Sequence, residues 1–323
     1  MAERVGFEPT LRHNRKPDFE SGAFDHSATS PERARMIRGG GDGDNLGDWI
    51  GGPAAGTMSI ETALRALPDG IHRIRGADGR ALIAKRRRVA PVGFFAAEAR
   101  GLAALAEKRT LRVPEVLAVA GGGIVLEDLG SGRPGVADWE LAGTKLAALH
   151  RGAGDSFGFD GDGWCGDSAQ DNTRETDGHR FFVERRIAPQ LRTALSAGRL
   201  SADDARRVDG LCARLPALLP ARAPVLVHGD LWIGNLLACA NGELALIDGG
   251  AVHCGWAEGD LAMLVLFGEP HAAFFAAYEA AAGIDSSWRE RAPLLNLYHL
   301  MNHLNLFGAG YLDAVRSVLR RYG

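Results

Sequence analysis

The chain lacks an excess of either charge: 37 lysines and arginines stand against 40 aspartates and glutamates, a net charge of -3 over 323 residues. So even a balance supplies no field to gather nucleic acid or an anionic membrane. Long apolar runs are missing as well. The longest, such as LAMLVLFG from Leu261, fall far short of the roughly 20 residues that a membrane span requires. Cysteine is scarce, and Cys165, Cys212, Cys239 and Cys254 are scattered without C-x-x-C spacing. They read as free thiols in a reducing cytoplasm, in a chain large enough to need no staples. What remains is ordinary for one large or two modest globular domains: 46% hydrophobic and 24% charged residues.

Residues 1–57 differ from the rest, being Gly-rich over 38–56 and without helical or strand periodicity before that. Such a composition buries too little apolar surface to offset the entropy of ordering. No apolar region of roughly 7 to 15 residues follows the first charges, so this is not a secretory signal. GFEPT at 6–10 back-translates to codons compatible with GGATTCGAACCCAC, the complement of a tRNA T-arm, and FDHSATSP at 24–31 resembles translated tRNA antisense. The expectation is an N-terminal extension that is either disordered or the product of a start placed too early, with the true start at Met58 or Met36 rather than Met1.

Patterned sequence begins after Met58. IHRIRG and RALIAKRR, joined across ADG, read as two antiparallel strands. FFAAEARGLAALAEK has helical period, and GGIVLEDLG is a further strand running into a Gly-rich connection at 130–135. A boundary there separates an N-terminal lobe, 58–129, from a C-terminal lobe, 130–323. In the latter VADWELAGTKLAALHRG, GHRFFVERRIAPQLRTALSAG, SADDARRVDGLCARLPALLP and the run from Pro270 are all helical in period.

Polar chemistry concentrates in LVHGDLWIGN, 226–235. Downstream, Asn241-Gly242 between apolar runs signals a hairpin with a two-residue type I′ loop. Ala240 then faces Glu243, each pair sums to 483, and Asn235 lies opposite Asp248. Directly opposed side chains sit roughly 4.5–5.5 Å apart, close enough for both oxygens to grip one ion. Hard oxygen ligands suggest Mg²⁺, with the rest of its shell from substrate phosphates. Asp230 precedes Asn235 by the interval of Asp and Asn in the protein-kinase catalytic loop, where the Asp orients the attacking hydroxyl and accepts its proton.

A phosphoryl-transfer site also needs a cation on the nucleotide phosphates. Lys85 ends an alternating strand, and in the next helix Phe95, Glu98, Leu102 and Leu105 share one face. A carboxylate facing a core needs a partner, and Lys85 is the sensible one. Between the first strands' candidates no G-x-G-x-x-G or Walker-type loop occurs, leaving Gly70 as the backbone position that can approach phosphate. His228 is expected to hold loop geometry. Asp260 is expected to cap a helix starting at Leu261 and to tie it to the catalytic loop. His299 and His303, one helical turn apart, lack the Glu of H-E-x-x-H, so packing or substrate lining is expected of them rather than zinc.

Together VHGDLWIGN, LIAK, FFAAEARGLAAL and EGDLAMLVLFG resemble the fructosamine kinase (ketosamine 3-kinase) family, within the kinase-like group that includes aminoglycoside and choline kinases. Trp232 tilts the match toward fructosamine kinases. The resemblance continues through FGFDGDGWCGDSAQDNT, FFVERRIAPQL and LYHLMNHLNLFGAGY, and spans about residues 60–323. It implies an α+β, bilobal, protein-kinase-like fold: a small antiparallel-sheet N-lobe with one helix and a larger, mostly helical C-lobe. It also implies transfer of the γ-phosphoryl group of ATP, with Mg²⁺, to the 3-hydroxyl of a ketosamine, free or on a protein lysine, in deglycation repair.

Carried over, Asp230 is the catalytic base, Asn235 and Asp248 the Mg²⁺ ligands, and Lys85 with Glu98 the ATP-positioning pair. The backbone of Glu127, Asp128 and Leu129 meets adenine, and Trp232, His253, Trp256 and His299 line the acceptor pocket. The protein would act in the cytoplasm as a monomer or weak dimer, without nucleic acid or membrane. The chain departs from the family in having Gly249-Gly250 where Pro-Ala is common, and NTRETDGHR where tryptophans follow Asn-Thr. Two rival readings are a small-molecule kinase of the aminoglycoside or choline type, and a pseudokinase that binds nucleotide as a scaffold.

Overall fold

The computed structural model describes residues 60–76, 78–120 and 122–323. The expected N-terminal extension, with Met36 and Met58, lies outside the described residues. The first lobe is a four-stranded antiparallel sheet of β1 (Gly70–Arg75), β2 (Ala81–Arg86), β3 (Val116–Ala120) and β4 (Gly123–Glu127), ordered β1-β2-β4-β3. Strand alternation sets its two faces. Leu82 and Ala84 of β2 join Ile74 and Val125 beneath a short helix, α1 (Ile60–Ala66), which contributes Leu64 while Leu67 follows it. Neither α1 nor β3 was expected: α1 has only seven residues, too few for a periodic signal to stand out.

The other face of the sheet carries Lys85 and meets α2 (Phe94–Glu107). Phe95, Glu98, Leu102 and Leu105 of α2 are all buried, as the helical period predicts.

The second lobe is mainly helical. Its long elements are α3 (Val136–Leu149), α4 (Gly178–Phe181) running through a π-helical stretch, Phe182–Ile187, into α5 (Ala188–Ser196), and α6 (Ala202–Leu218). They continue with α7 (Ala257–Leu264), α8 (Ala272–Ala282), α9 (Trp288–Leu295), α10 (Leu297–Phe307) and α11 (Leu312–Tyr322). Three two-stranded ribbons hold the chemistry: β5 (Gly163–Cys165) with β6 (Ser168–Gln170), β7 (Val225–Val227) with β10 (His253–Gly255), and β8 (Leu236–Ala238) with β9 (Leu244–Leu246). One continuous apolar core runs from the underside of the sheet, through Phe95, Ile124 and Leu126, to α10 and α11. The fold is α+β and bilobal, as the sequence implies. Among the described residues no helix is long and apolar enough to cross a membrane.

The β8–β9 hairpin corrects the expected register. Leu236 pairs with Leu246 and Ala238 with Leu244, so partners sum to 482. The Cys239 N–H donates to Glu243 O, and Ala240, Asn241 and Gly242 form a three-residue loop. A type I′ turn needs positive φ at both central residues. Here Gly242 has φ 90° whereas Asn241 is not among the positive-φ residues, and its Oδ1 instead accepts from the Glu243 N–H at 3.1 Å. Asn235 consequently faces Ile247, whose N–H donates to Asn235 O at 3.2 Å, and Asp248 stands one residue beyond.

Candidate active site

The loop of residues 228–235, the expected catalytic loop, leaves β7 at Val227 and is shaped by buried groups. Gly229 has φ 78°, and a Cβ there would overlap the Ala251 carbonyl oxygen. Asp260 accepts the His228 N–H at 2.8 Å on Oδ2 and the Gly229 N–H at 2.9 Å on Oδ1. His150 Nε2 reaches the same carboxylate at 3.3 Å. Burial pushes Asp260 upward, but the His150 and His228 contacts together outweigh it and leave the carboxyl below its ordinary range. Asp260 therefore ties α7 to the loop, but it does not cap a helix. α7 begins at Ala257 with Trp256 at its N-cap, so Asp260 falls inside the first turn.

His228 behaves as the loop-holding residue. Its Nε2 donates to Ile247 O at 2.7 Å and its Nδ1 accepts the Asp230 N–H at 3.3 Å. That pattern fits the neutral ring, which burial also favours by pulling the pKa down. Asp230 is 6% exposed, and its Oδ1 has no hydrogen-bond partner. Burial, reinforced by the Asp260 charge, pushes it up to about 7. The Asp230 carbonyl is fixed by Asn235 Nδ2 at 2.8 Å and by the Trp232 N–H at 3.1 Å.

Across the cleft Lys85 Nζ lies 2.5 Å from Glu98 Oε1 and also pairs with Asp248. Asp248 occupies the left-handed region, φ 62°, a conformation uncommon outside glycine and frequent at functional sites. The turn after it, Gly249–Ala251, is pressed onto α2, where a Cβ on Gly101 would overlap Gly249 O. The Gly249-Gly250 departure thus coincides with a backbone-to-backbone contact between this turn and the helix that carries Glu98.

Gly70, Lys85, Glu98, Asp230 and Asp248 line one cleft of about 650 Å³, counting its open mouth, together with Arg87 and Trp164. His253, Trp256 and His299 line a second cavity of about 530 Å³ beyond the catalytic loop, with Arg186 and Tyr298. Burial lowers both His253 and His299 to about 3, so each ring is neutral. Trp232 lines neither cavity; its ring packs over Gly234.

Glu127, Asp128 and Leu129 lie outside both cavities, and their polar groups are largely committed. The Glu127 carboxylate pairs with Arg112, Asp128 with Arg73 at 2.5 Å, and Leu129 O accepts the Ala240 N–H at 3.0 Å. His303 Nδ1 donates to His299 O at 2.8 Å while its ring packs on Phe267, a structural placement.

Sequence reasoning missed Arg186, Trp164 and Cys165. Arg186 is 2% exposed on the π-helical stretch, donates to Asp171 O and Asn172 Oδ1 at 2.7 Å each, and lies over Phe181 at 4.6 Å. Its signal was a basic residue on the apolar face of FFVERRIAPQL. Trp164 and Cys165 sit on a three-residue strand too short to announce itself.

The fructosamine kinase family model matches residues 71–322. A probable ketoamine kinase of Synechocystis is 37% identical over 233 residues, 71% of this chain and 78% of the relative. The chloroplastic protein-ribulosamine 3-kinase of Arabidopsis thaliana is 34% identical over 260 residues, 76% and 77% of the two chains. A crystal structure from Thermobifida fusca, provisionally assigned as a fructosamine-3-kinase, superposes with TM-score 0.73 at 34% identity, covering 81% of this chain and 99% of that one. In sequence and in fold, the chain belongs to the fructosamine kinase family.

Proposed function

We propose that this protein transfers the γ-phosphoryl group of ATP to the 3-hydroxyl of a ketosamine, a sugar attached to an amine or a protein lysine. The unstable 3-phosphate is then eliminated as inorganic phosphate, and hydrolysis of the remaining sugar–nitrogen linkage by water frees the amine, which makes the reaction a deglycation step. The observation that carries this reading is the convergence of Lys85, Glu98, Asp230 and Asp248 on one cleft. Asp230 faces it as a buried carboxyl with a free oxygen, suited to orient the acceptor hydroxyl and take its proton. Lys85, braced by Glu98, steers the nucleotide phosphates, and Gly70 lets β1 approach them. Adenine meets the backbone of Glu127 to Leu129, where the Leu129 N–H has no acceptor among the described residues.

Mg²⁺ fits the donor set. The Asp248 carboxylate is held at the cleft, and Asn235, with Nδ2 spent on the Asp230 carbonyl, has its amide oxygen left to offer. When bound, the ion neutralises charge on the transferring phosphates. His228 and Asp260 keep the loop in shape, and His253, Trp256 and His299, which line the cavity beyond the loop, would meet the sugar side of the acceptor. Free thiols suit a reducing cytoplasm, a net charge of -3 offers no field for nucleic acid, and the same proposal takes the enzyme as a monomer or weak dimer.

The test is an acceptor screen with ATP and Mg²⁺ against ribulosyl-lysine, fructosyl-lysine, an aminoglycoside and choline. Phosphate transfer to the ketosamines is expected. Transfer only to the other alcohols would replace the substrate class, and transfer to none would make the chain a nucleotide-binding scaffold.

A further inference from the structure

Three residues far apart in sequence meet on the acceptor side of the catalytic loop: Cys165 at the end of β5, Asp230 after β7, and His299 in α10. One ligand atom from each, all buried, lies within 4.8 Å of the other two. Cys165 Sγ and His299 Nδ1 are 3.9 Å apart. A tetrahedral zinc ion, with bonds of about 2.3 Å to sulfur and about 2.0–2.1 Å to nitrogen or oxygen, spaces its ligands by roughly 3.3–3.6 Å. The sulfur–nitrogen pair is a few tenths of an ångström wider than this, and the Asp230 oxygen, within 4.8 Å of both, closes on the ion by side-chain rotation.

A second observation concerns the carboxylate of this cluster. Asp230 Oδ1 is buried and has no hydrogen-bond partner. The outer shell is also built: Asn302 Nδ2 donates to Cys165 O at 3.1 Å and approaches Sγ at 3.4 Å, while Ser168 Oγ holds Asn302 Oδ1 at 2.5 Å. Ligands oriented by such partners are the rule in metal sites.

We propose that Cys165, Asp230 and His299 form a binding site for a thiophilic divalent cation of the zinc class, and that the ion, by occupying the proposed catalytic base, shuts the enzyme off. Sulfur and imidazole nitrogen select against Mg²⁺, whose preference is for oxygen, so this site is chemically distinct from the Asn235–Asp248 pair. On binding, the Cys165 thiol proton is released to solvent, a sulfur–metal bond forms, and no redox change occurs. Three protein ligands leave a fourth position for water, the arrangement of an open site. The cation assignment stands on these three residues alone; the inhibition rests on the reading of Asp230 as base.

The test uses the full chain without ATP, titrated with Co²⁺ as a spectroscopic stand-in for zinc. About one equivalent is expected to produce a thiolate-to-metal charge-transfer band. The band should survive simultaneous Cys212→Ser, Cys239→Ser and Cys254→Ser replacement and vanish in Cys165→Ala. Cys165→Ser, which keeps the side-chain volume, makes the same comparison should the alanine variant fold poorly. In kinase assays buffered zinc should inhibit the wild type, and either Cys165 variant should need about tenfold more zinc or beyond, as loss of a thiolate ligand implies, with its zinc-free turnover little changed. A band that persists in both Cys165 variants, or one lost in the triple variant, overturns the site. Because the cobalt band needs no phosphoryl transfer, it separates failure of the site from failure of the kinase reading.

Discussion

The cleft contains two clusters of ionisable groups that solve burial in opposite ways. On the proposed nucleotide side, Lys85 sits between Glu98 and Asp248, so each charge has a counter-charge within bonding distance. On the proposed acceptor side, Asp230 has one oxygen without a partner and a like charge, Asp260, as its main electrostatic influence. Compensated charges hold a geometry. An uncompensated one stores reactivity, because a carboxyl pushed up to about 7 has a basicity matched to taking a proton from a hydroxyl near neutral pH.

The sharpest way to break the comparison is to remove the uncompensated charge. Asp230→Asn keeps size and burial but cannot accept the proton, and turnover should drop by about 10²–10⁴, the span typical of a general base. Thermal melts should show an intact fold. A variant within a few-fold of wild-type kcat would end the assignment of Asp230.

Removing the shared cation on the compensated side should damage activity less and stability more. Lys85→Met leaves the buried Glu98 without its partner, and breaking a buried pair costs about 3–5 kcal/mol. Asp248 is 27% exposed, so water takes up part of its share and the loss should sit at the low end of that range. The KM for ATP is expected to rise about tenfold as a charge-assisted contact is lost. Unchanged stability, measured by denaturant unfolding, would mean that Lys85 is a passenger between the two carboxylates.

The two clusters were also unequally legible. Lys85 and Glu98 could be read because each lies on a regular element whose period fixes its direction: alternation along β2 and the 3.6-residue repeat of α2. Asp230, Asn235 and Asp248 were singled out by spacing, but the hairpin between Asn235 and Asp248 differs from the expected one by one residue of register. An Asn-Gly pair fits both a two-residue I′ loop and a three-residue loop with glycine in the bulge, and only the φ of Asn241 tells them apart. The reading nonetheless reached Asp248, because its left-handed backbone and the turn after it restore to the cleft a side chain that the slipped register had moved. Arg186 showed only as a basic residue within an apolar helical run, and Cys165 was not legible at all. Cys165 meets His299 across 134 residues, and no local pattern encodes such a contact.

A backbone contact joins the compensated cluster to the helix behind it, and Gly101→Ala probes that contact. The added Cβ would overlap Gly249 O, forcing α2 and the turn after Asp248 apart. Overpacking of this kind costs about 1–3 kcal/mol. Since Glu98 and Asp248 stand on the two sides of the contact, kcat should fall severalfold while the KM for the acceptor, set on the other side of the loop, stays put. A change confined to acceptor KM would show that the two sides are not mechanically separate.

The effect on pH dependence is the most diagnostic, because its sign differs between the clusters. Asp230 has an ordinary carboxylate value of about 3.9 in the unfolded chain and about 7 when folded. A raised folded value means that its contribution to stability is fully present below the unfolded pKa and is lost as pH rises through the folded one. Above pH 7 the native protein carries the cost of a buried charge, and Asp230→Asn relieves it. The variant should therefore melt several degrees above wild type at pH 8, with the gain shrinking as pH falls from 7 toward 4. Lys85→Met should melt below wild type throughout that range. An Asp230→Asn gain that does not depend on pH would show that the carboxylate finds a partner the static fold does not reveal, and the contrast between the two clusters would fail at its base.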